Sequence, residues 1–171
     1  MATYDLTVEP YRQAAGYAGC ETNPGFQYRK FLGSELKTLK DGTVVPDAAT
    51  HTFKIAKLGK GCVIPKVRTI VTDADDTAIN MDIGYTDGTN GAVNTFEDAV
   101  ALNSTGVTDS ADDIVYFPNS GSNYALDAYL TITVNRASNW VTDLDDATEF
   151  IVCWWTELIK QEIATALTTP V

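Results

Sequence analysis

The chain is poor in the residues that usually build metal and catalytic centres. It has a single histidine, His51, so a site with several imidazole ligands is excluded. Three cysteines, Cys20, Cys62 and Cys153, lie far apart with no CxxC spacing, which indicates neither a disulfide framework nor a zinc knuckle. Long apolar runs are absent as well: the longest, Phe150 to Trp155, is far short of a spanning helix. The first residues, Met1-Ala2-Thr3-Tyr4-Asp5, offer no basic stretch followed by an apolar one, so no signal peptide is expected. A soluble protein with reduced thiols, made in the cytosol, is the reading.

Positive charge is scarce and unevenly placed. Residues 1–68 hold ten of the twelve Lys and Arg against six acids; residues 69–171 hold only Arg136 and Lys160 against seventeen acids. The net charge of −11 disfavours nucleic acid as a partner, because phosphate binding needs Lys and Arg. A split of this kind points to two surfaces with different partners, or to drift in surface composition.

What is present is ordinary globular material. With 171 residues, 44% of them hydrophobic and 20% charged, one domain with a sizeable core is expected. Three parts are delimited: an arm or loop-rich segment over 1–48, a β-domain over 49–158 and a tail over 159–171. Residues 1–48 carry Tyr4, Tyr11, Tyr17 and Tyr28 with turn formers such as Asn23-Pro24-Gly25, but no sustained period of 2 or 3.6.

From His51 onward the pattern is β. Phe53, Ile55 and Lys57 alternate with Thr52, Lys54 and Ala56; Ile79, Met81, Ile83 and Tyr85 alternate with Asn80, Asp82 and Gly84. The stretch 63–72 is β-branched, with Pro65 demanding a bulge or an edge. Leu126 to Val134 is the cleanest alternation. One short helix is expected after Asn94, with Glu97 at the third position beyond the cap, and a second helical spacing runs through the tail from Glu157 to Leu167. The fold class is therefore all-β: an antiparallel β-sandwich or jelly roll with an extended N-terminal arm and one short helix.

Candidate chemistry is thin. Asp73-x-Asp75-Asp76, Asp109-x-x-Asp112-Asp113 and Asp143-x-Asp145-Asp146 group carboxylates in loops, yet none matches the calcium-loop pattern; solvated turns are the default. His51 has no nucleophile motif beside it, so nucleophilic catalysis is not expected, and no spacing identifies a catalytic pair among the many acids; no catalytic residue is singled out and no metal or cofactor is expected to be required. The informative feature is Phe150 to Trp155. In a strand, Phe150, Val152 and Trp154 line one face and Ile151, Cys153 and Trp155 the other. A sandwich buries one face, so something must cover the second: a neighbouring subunit, the N-terminal segment or a ligand such as sugar. Ile151, Cys153, Trp154 and Trp155 are taken as a candidate subunit interface. Tyr4, Tyr11, Arg12, Tyr17, Tyr28, Arg29 and Lys30 are taken as a candidate docking arm, since Tyr and Arg dominate binding hot spots.

In order along the chain, several pieces are similar to the head decoration (cement) proteins of tailed bacteriophages. They are Phe53-Lys54-Ile55-Ala56-Lys57-Leu58-x-Lys60-Gly61-x-Val63-Ile64, then Met81-Asp82-Ile83-Gly84 with the glycine-rich Asp87 to Gly91, then Phe96 to Leu102, then Thr131 to Asn135 and Phe150 to Thr156. The resemblance implies a non-enzymatic virion protein on the capsid surface, a homotrimer of jelly rolls that clamps neighbouring major capsid protein subunits, with no nucleic acid or membrane partner. The competing reading is a carbohydrate-binding β-sandwich or adhesin, with or without calcium, that uses aromatics such as Trp140 or Trp154.

Overall fold

The computed structural model describes residues 1–7, 25–58, 62–86, 94–110, 115–116, 128–135 and 140–158. Ten strands and two short helices follow one another: β1 (Thr3–Asp5), β2 (Gly25–Leu32), α1 (Gly33–Lys37), β3 (Thr50–Leu58), β4 (Cys62–Asp73), β5 (Asn80–Thr86), β6 (Glu97–Ala101), β7 (Gly106–Asp109), β8 (Val115–Tyr116), β9 (Ala128–Asn135), α2 (Trp140–Asp143) and β10 (Glu149–Leu158). The first sheet runs β1-β3-β9-β5-β6. The second runs β2-β10-β4-β7, with β8 also pairing β4. All pairings are antiparallel except β1 with β3. This is the expected all-β sandwich.

The core lies between the sheets. Phe53, Met81, Ile83, Leu130, Ile132 and Val134 come from the first sheet, and Phe31, Val67, Val71, Phe150, Val152 and Trp154 from the second. Phe31 and Phe150 stack with ring centroids 5.2 Å apart. The apolar positions read as inward in β5 and β9, Met81, Ile83, Ala128, Leu130, Ile132 and Val134, are all buried, as is Ile79 just before β5, while Asp82, Thr131 and Thr133 on the other side are buried as well. In β3 the register slips between Lys54 and Ala56, leaving Ile55 as an extra residue. That bulge reverses the phase, so Ala56 and Leu58 are buried and Lys57, expected on the same face as Phe53, is exposed. Pro65 falls at the irregularity anticipated for it, where Trp155 pairs Lys66 but Glu157 pairs Val63.

Two parts of the sequence reading change. The helix expected after Asn94 is strand β6, in which Asn80 pairs Ala101, Met81 pairs Val100 and Ile83 pairs Glu97. A segment of five or six residues cannot offset helix nucleation by itself, and pairing with β5 decides its state. The segment 1–48 also contributes two strands rather than only an arm: β1 extends the first sheet, and β2 pairs with Glu149 to Thr156 of β10. The tail from 159 onward lies outside the described residues; Glu157 and Leu158, expected to begin a helix, instead end β10.

Candidate docking face

The outward faces of the two sheets differ in chemistry. On the first sheet, rows of cross-strand partners read Thr3, Thr52, Thr133, Asp82 and Asp5, Lys54, Thr131, Gly84. These side chains satisfy one another: the Thr52 and Thr133 hydroxyls are 3.0 Å apart, the Asn135 amide donates to Asp82, and the Lys54 ammonium lies 4.2 Å from the centre of the Tyr129 ring. That face is polar and closed upon itself.

On the second sheet the rows read Phe26, Trp155, Lys66; Tyr28, Cys153, Arg68, Asp109; and Lys30, Ile151, Ile70, Val107. Phe26, Tyr28 and Val107 are 55%, 54% and 61% exposed. Phe26 packs against Tyr28 at 6.0 Å and against Trp155 at 5.1 Å between centroids, and the Lys66 ammonium lies 5.8 Å from the Trp155 ring. Arg68 grips Asp109 through two nitrogens, the Nη2–Oδ2 contact at 2.9 Å, while Lys66 reaches the same carboxylate at 3.1 Å. Lys30 pairs with Glu149. Hydrogen bonds from Arg68, and then Lys66, hold the Asp109 carboxyl well below the ordinary range; those from Lys30 and Thr72 lower that of Glu149. The result is an aromatic and aliphatic surface with fixed cations.

The structure sorts the anticipated binding residues. Ile151, Cys153 and Trp155 project onto this face together with Tyr28 and Lys30. Trp154 does not: it is 3% exposed in the core, and its Nε1 donates to Gln27 at 3.1 Å. Arg29 is also internal, donating to the Leu6 carbonyl at 2.8 Å with its guanidinium 5.2 Å from the Phe31 ring. Tyr4 stacks on Phe53 and meets His51 edge-on, so it serves the sandwich. Tyr11, Arg12 and Tyr17 lie outside the described residues. Lys66, Ile70 and Val107 were not anticipated. Phe26, Tyr28 and Lys30 do alternate in sequence, but Gln27 and Arg29 at the inward positions disguise the strand.

The Cys153 thiol is nearly buried on this face, and burial pushes its pKa up, against the pull of Arg68. It is therefore held in the thiol form, a poor nucleophile. His51 is buried with both ring nitrogens engaged by backbone, Nε2 at 2.7 Å from the Pro46 carbonyl and Nδ1 accepting the Ala2 N–H at 3.3 Å. Asp75, Asp76 and Asp145 come together from two of the acidic runs, with an oxygen from each within 4.8 Å of the others. Asp75, however, already accepts the Thr77 and Asp145 N–H groups and the Thr148 hydroxyl, each at 2.8 Å. Its carboxylate ties the β4–β5 connection to the segment that leads into β10.

No protein-family model matches the chain, and no curated protein matches it. Among solved structures, the fold is similar to that of a chain in the capsid of Ralstonia phage GP4, with a TM-score of 0.52 and 15% identity over 94% of this chain and 99% of that one. A second similarity, to a chain in the acidic stable capsid structure of Helicobacter pylori bacteriophage KHP30, has a TM-score of 0.40 at 17% identity, covering 78% of this chain and 94% of that one, and carries no argument. The first likeness covers most of both chains and shows a shared fold.

Proposed function

We propose that this chain is a structural protein of a phage virion, seated on the outside of the capsid and clamping neighbouring major capsid protein subunits through the outward face of its second sheet. The observation that carries the reading is the contrast between the two outer faces. One is polar and satisfied internally; the other exposes Phe26, Tyr28 and Val107 and leaves Ile151 and Trp155 half-buried beside Lys30, Lys66 and Arg68. A sheet that is apolar on both sides needs a partner on the second side. Aromatic anchors beside Arg and Lys are the composition of a protein-binding surface, and here those cations are held by Asp109 and Glu149. The resemblance in sequence order to cement proteins and the fold shared with a phage capsid chain support the same reading. Self-association into a trimer would cover part of this face, and no catalytic role is assigned.

Purified protein should sediment with empty shells assembled from the major capsid protein of the phage that encodes it. Phe26→Ala combined with Trp155→Ala should leave the fold intact and weaken that binding roughly 30-fold or more, the effect of removing a hot spot of about 2 kcal/mol. Wild-type protein that stays in the supernatant at micromolar concentration refutes the capsid role; undiminished binding by the double variant refutes the face. The carbohydrate reading has lost the side chains it drew on, since Trp140 and Trp154 are 0% and 3% exposed. A rise in melting temperature with simple sugars would restore it.

A further inference from the structure

Glu97 is an acid placed where an acid is costly. It lies in β6 at the edge of the first sheet, paired with the core residue Ile83, and its side chain is turned inward and buried. Its Oε2 accepts the hydroxyl of Thr69 at 2.6 Å, and Thr69 belongs to β4 in the second sheet. The bond therefore crosses the interior and ties the edge of one sheet to the other. Its Oε1 is buried without a hydrogen-bond partner.

The charged neighbours offer Glu97 no compensation. Asp109 of β7 adds a repulsive field, and Arg68 of β4 faces outward and is held by that same Asp109. Asp98 of β6 and Asp82 of β5 are acids too, and the Cys153 thiol of β10 is neutral. On the opposite side of the strand, Asp82 accepts the Ala99 N–H at 2.9 Å and holds Ala99 at φ 53°, a left-handed conformation that costs an L-residue about 1 kcal/mol. So β6 is a short edge strand under strain, gripped by one carboxyl from inside and another from outside.

We propose that Glu97 is a proton-operated latch that sets how firmly β6 is held to the second sheet. Protonated, it needs no counter-charge, and the Thr69 bond spans the sandwich. Ionised, it must reach water, and the available route is outward, with release of the Thr69 bond and of the strain at Ala99. Burial supports this directly: it lifts the Glu97 pKa to about 7, against the opposing hydrogen bonds from Thr69. An opened β6 returns the carboxyl to its ordinary value near 4.5. The closed form thus binds the extra proton between those two values. Its advantage is complete at low pH, falls as pH rises through that window, and is flat above about 7. The latch is a property of the sandwich itself and does not depend on the capsid reading.

Amide hydrogen exchange of residues 97–101, corrected for the intrinsic pH dependence of exchange, tests it. In the wild-type protein, protection should drop roughly 30- to 100-fold between pH 5 and pH 8. In Glu97→Gln, which keeps the shape but cannot ionise, protection should be the same at both pH values. A wild-type change below about threefold, or an equal drop in Glu97→Gln, overturns the proposal. Should that variant fail to fold, carbon NMR titration of the Glu97 carboxyl in the unmodified protein decides: a midpoint near 7 supports the latch, and one at 4.5 or below overturns it.

Discussion

Removing the Asp75 carboxylate separates a structural role for the acidic loops from a metal-binding one. Asp75→Ala leaves three donors without their acceptor: the Thr77 N–H, the Asp145 N–H and the buried Thr148 hydroxyl. A hydrogen bond to a charged acceptor contributes about 1.5–3 kcal/mol when buried and less where water can replace it. Counting the Thr148 bond at about 2 kcal/mol and the two part-buried backbone bonds at about 1 kcal/mol each gives a loss of about 4 kcal/mol. For a chain of this size, that lowers the thermal midpoint by roughly 8–16 °C. Asp75→Asn should lose less, because its remaining oxygen can keep the Asp145 N–H and the Thr148 hydroxyl while its NH2 group faces only the Thr77 N–H. Asp76→Asn is the control: among the described residues its exposed carboxylate accepts from the Thr77 hydroxyl alone, and the change should stay within about 0.5 kcal/mol. Thermal melts of the three variants and the parent, each with chelator and with millimolar calcium, provide the assay. A parent midpoint that falls with chelator and rises with calcium, together with an Asp76→Asn loss as large as that of Asp75→Ala, would refute the structural account and make the cluster a cation site. An Asp75→Ala loss below about 1 kcal/mol would refute the hydrogen-bond arithmetic itself.

Gly33→Ala should destabilise the fold by about 3 kcal/mol or more, measured by urea unfolding, because an added Cβ would stand 1.8 Å from the Asp145 carbonyl oxygen. Deleting residues 1–7 should lower the melting temperature rather than abolish capsid binding selectively. It removes β1, the buried Leu6 and the carbonyl that accepts the Arg29 guanidinium. A truncated protein with an unchanged midpoint that no longer sediments with shells would reinstate the docking arm.

Much of the sandwich was legible in the order of residues. Period-2 alternation identified β5 and β9, the doubly apolar run identified β10, and Pro65 marked a bulge, because these signals are local: side chains alternate, and a proline lacks the donor a ladder requires. The same alternation identified an unpaired second face on β10, with Ile151, Cys153 and Trp155 on it. Strand β2 was hidden because its inward residues Gln27 and Arg29 are polar, and their bonding needs are met by Trp154 and Leu6, far away in the chain. The state of Glu97–Ala101 was undecidable locally, since a few small residues suit helix or strand equally and β5 chose between them. Ile55 reads as a regular strand residue, and only pairing with β9 shows the slip that turns Lys57 outward.

Composition and periodicity determined an acidic, all-β chain with one strand too apolar for a single core. Tertiary structure decided which residues join that strand on its open face: Phe26 and Tyr28 from β2, Lys66, Arg68 and Ile70 from β4, and Val107 from β7. The physical reason is that alternation along a strand specifies which side chains share a face, whereas the neighbours beside them are set by strand order and register, which depend on contacts between residues remote in sequence.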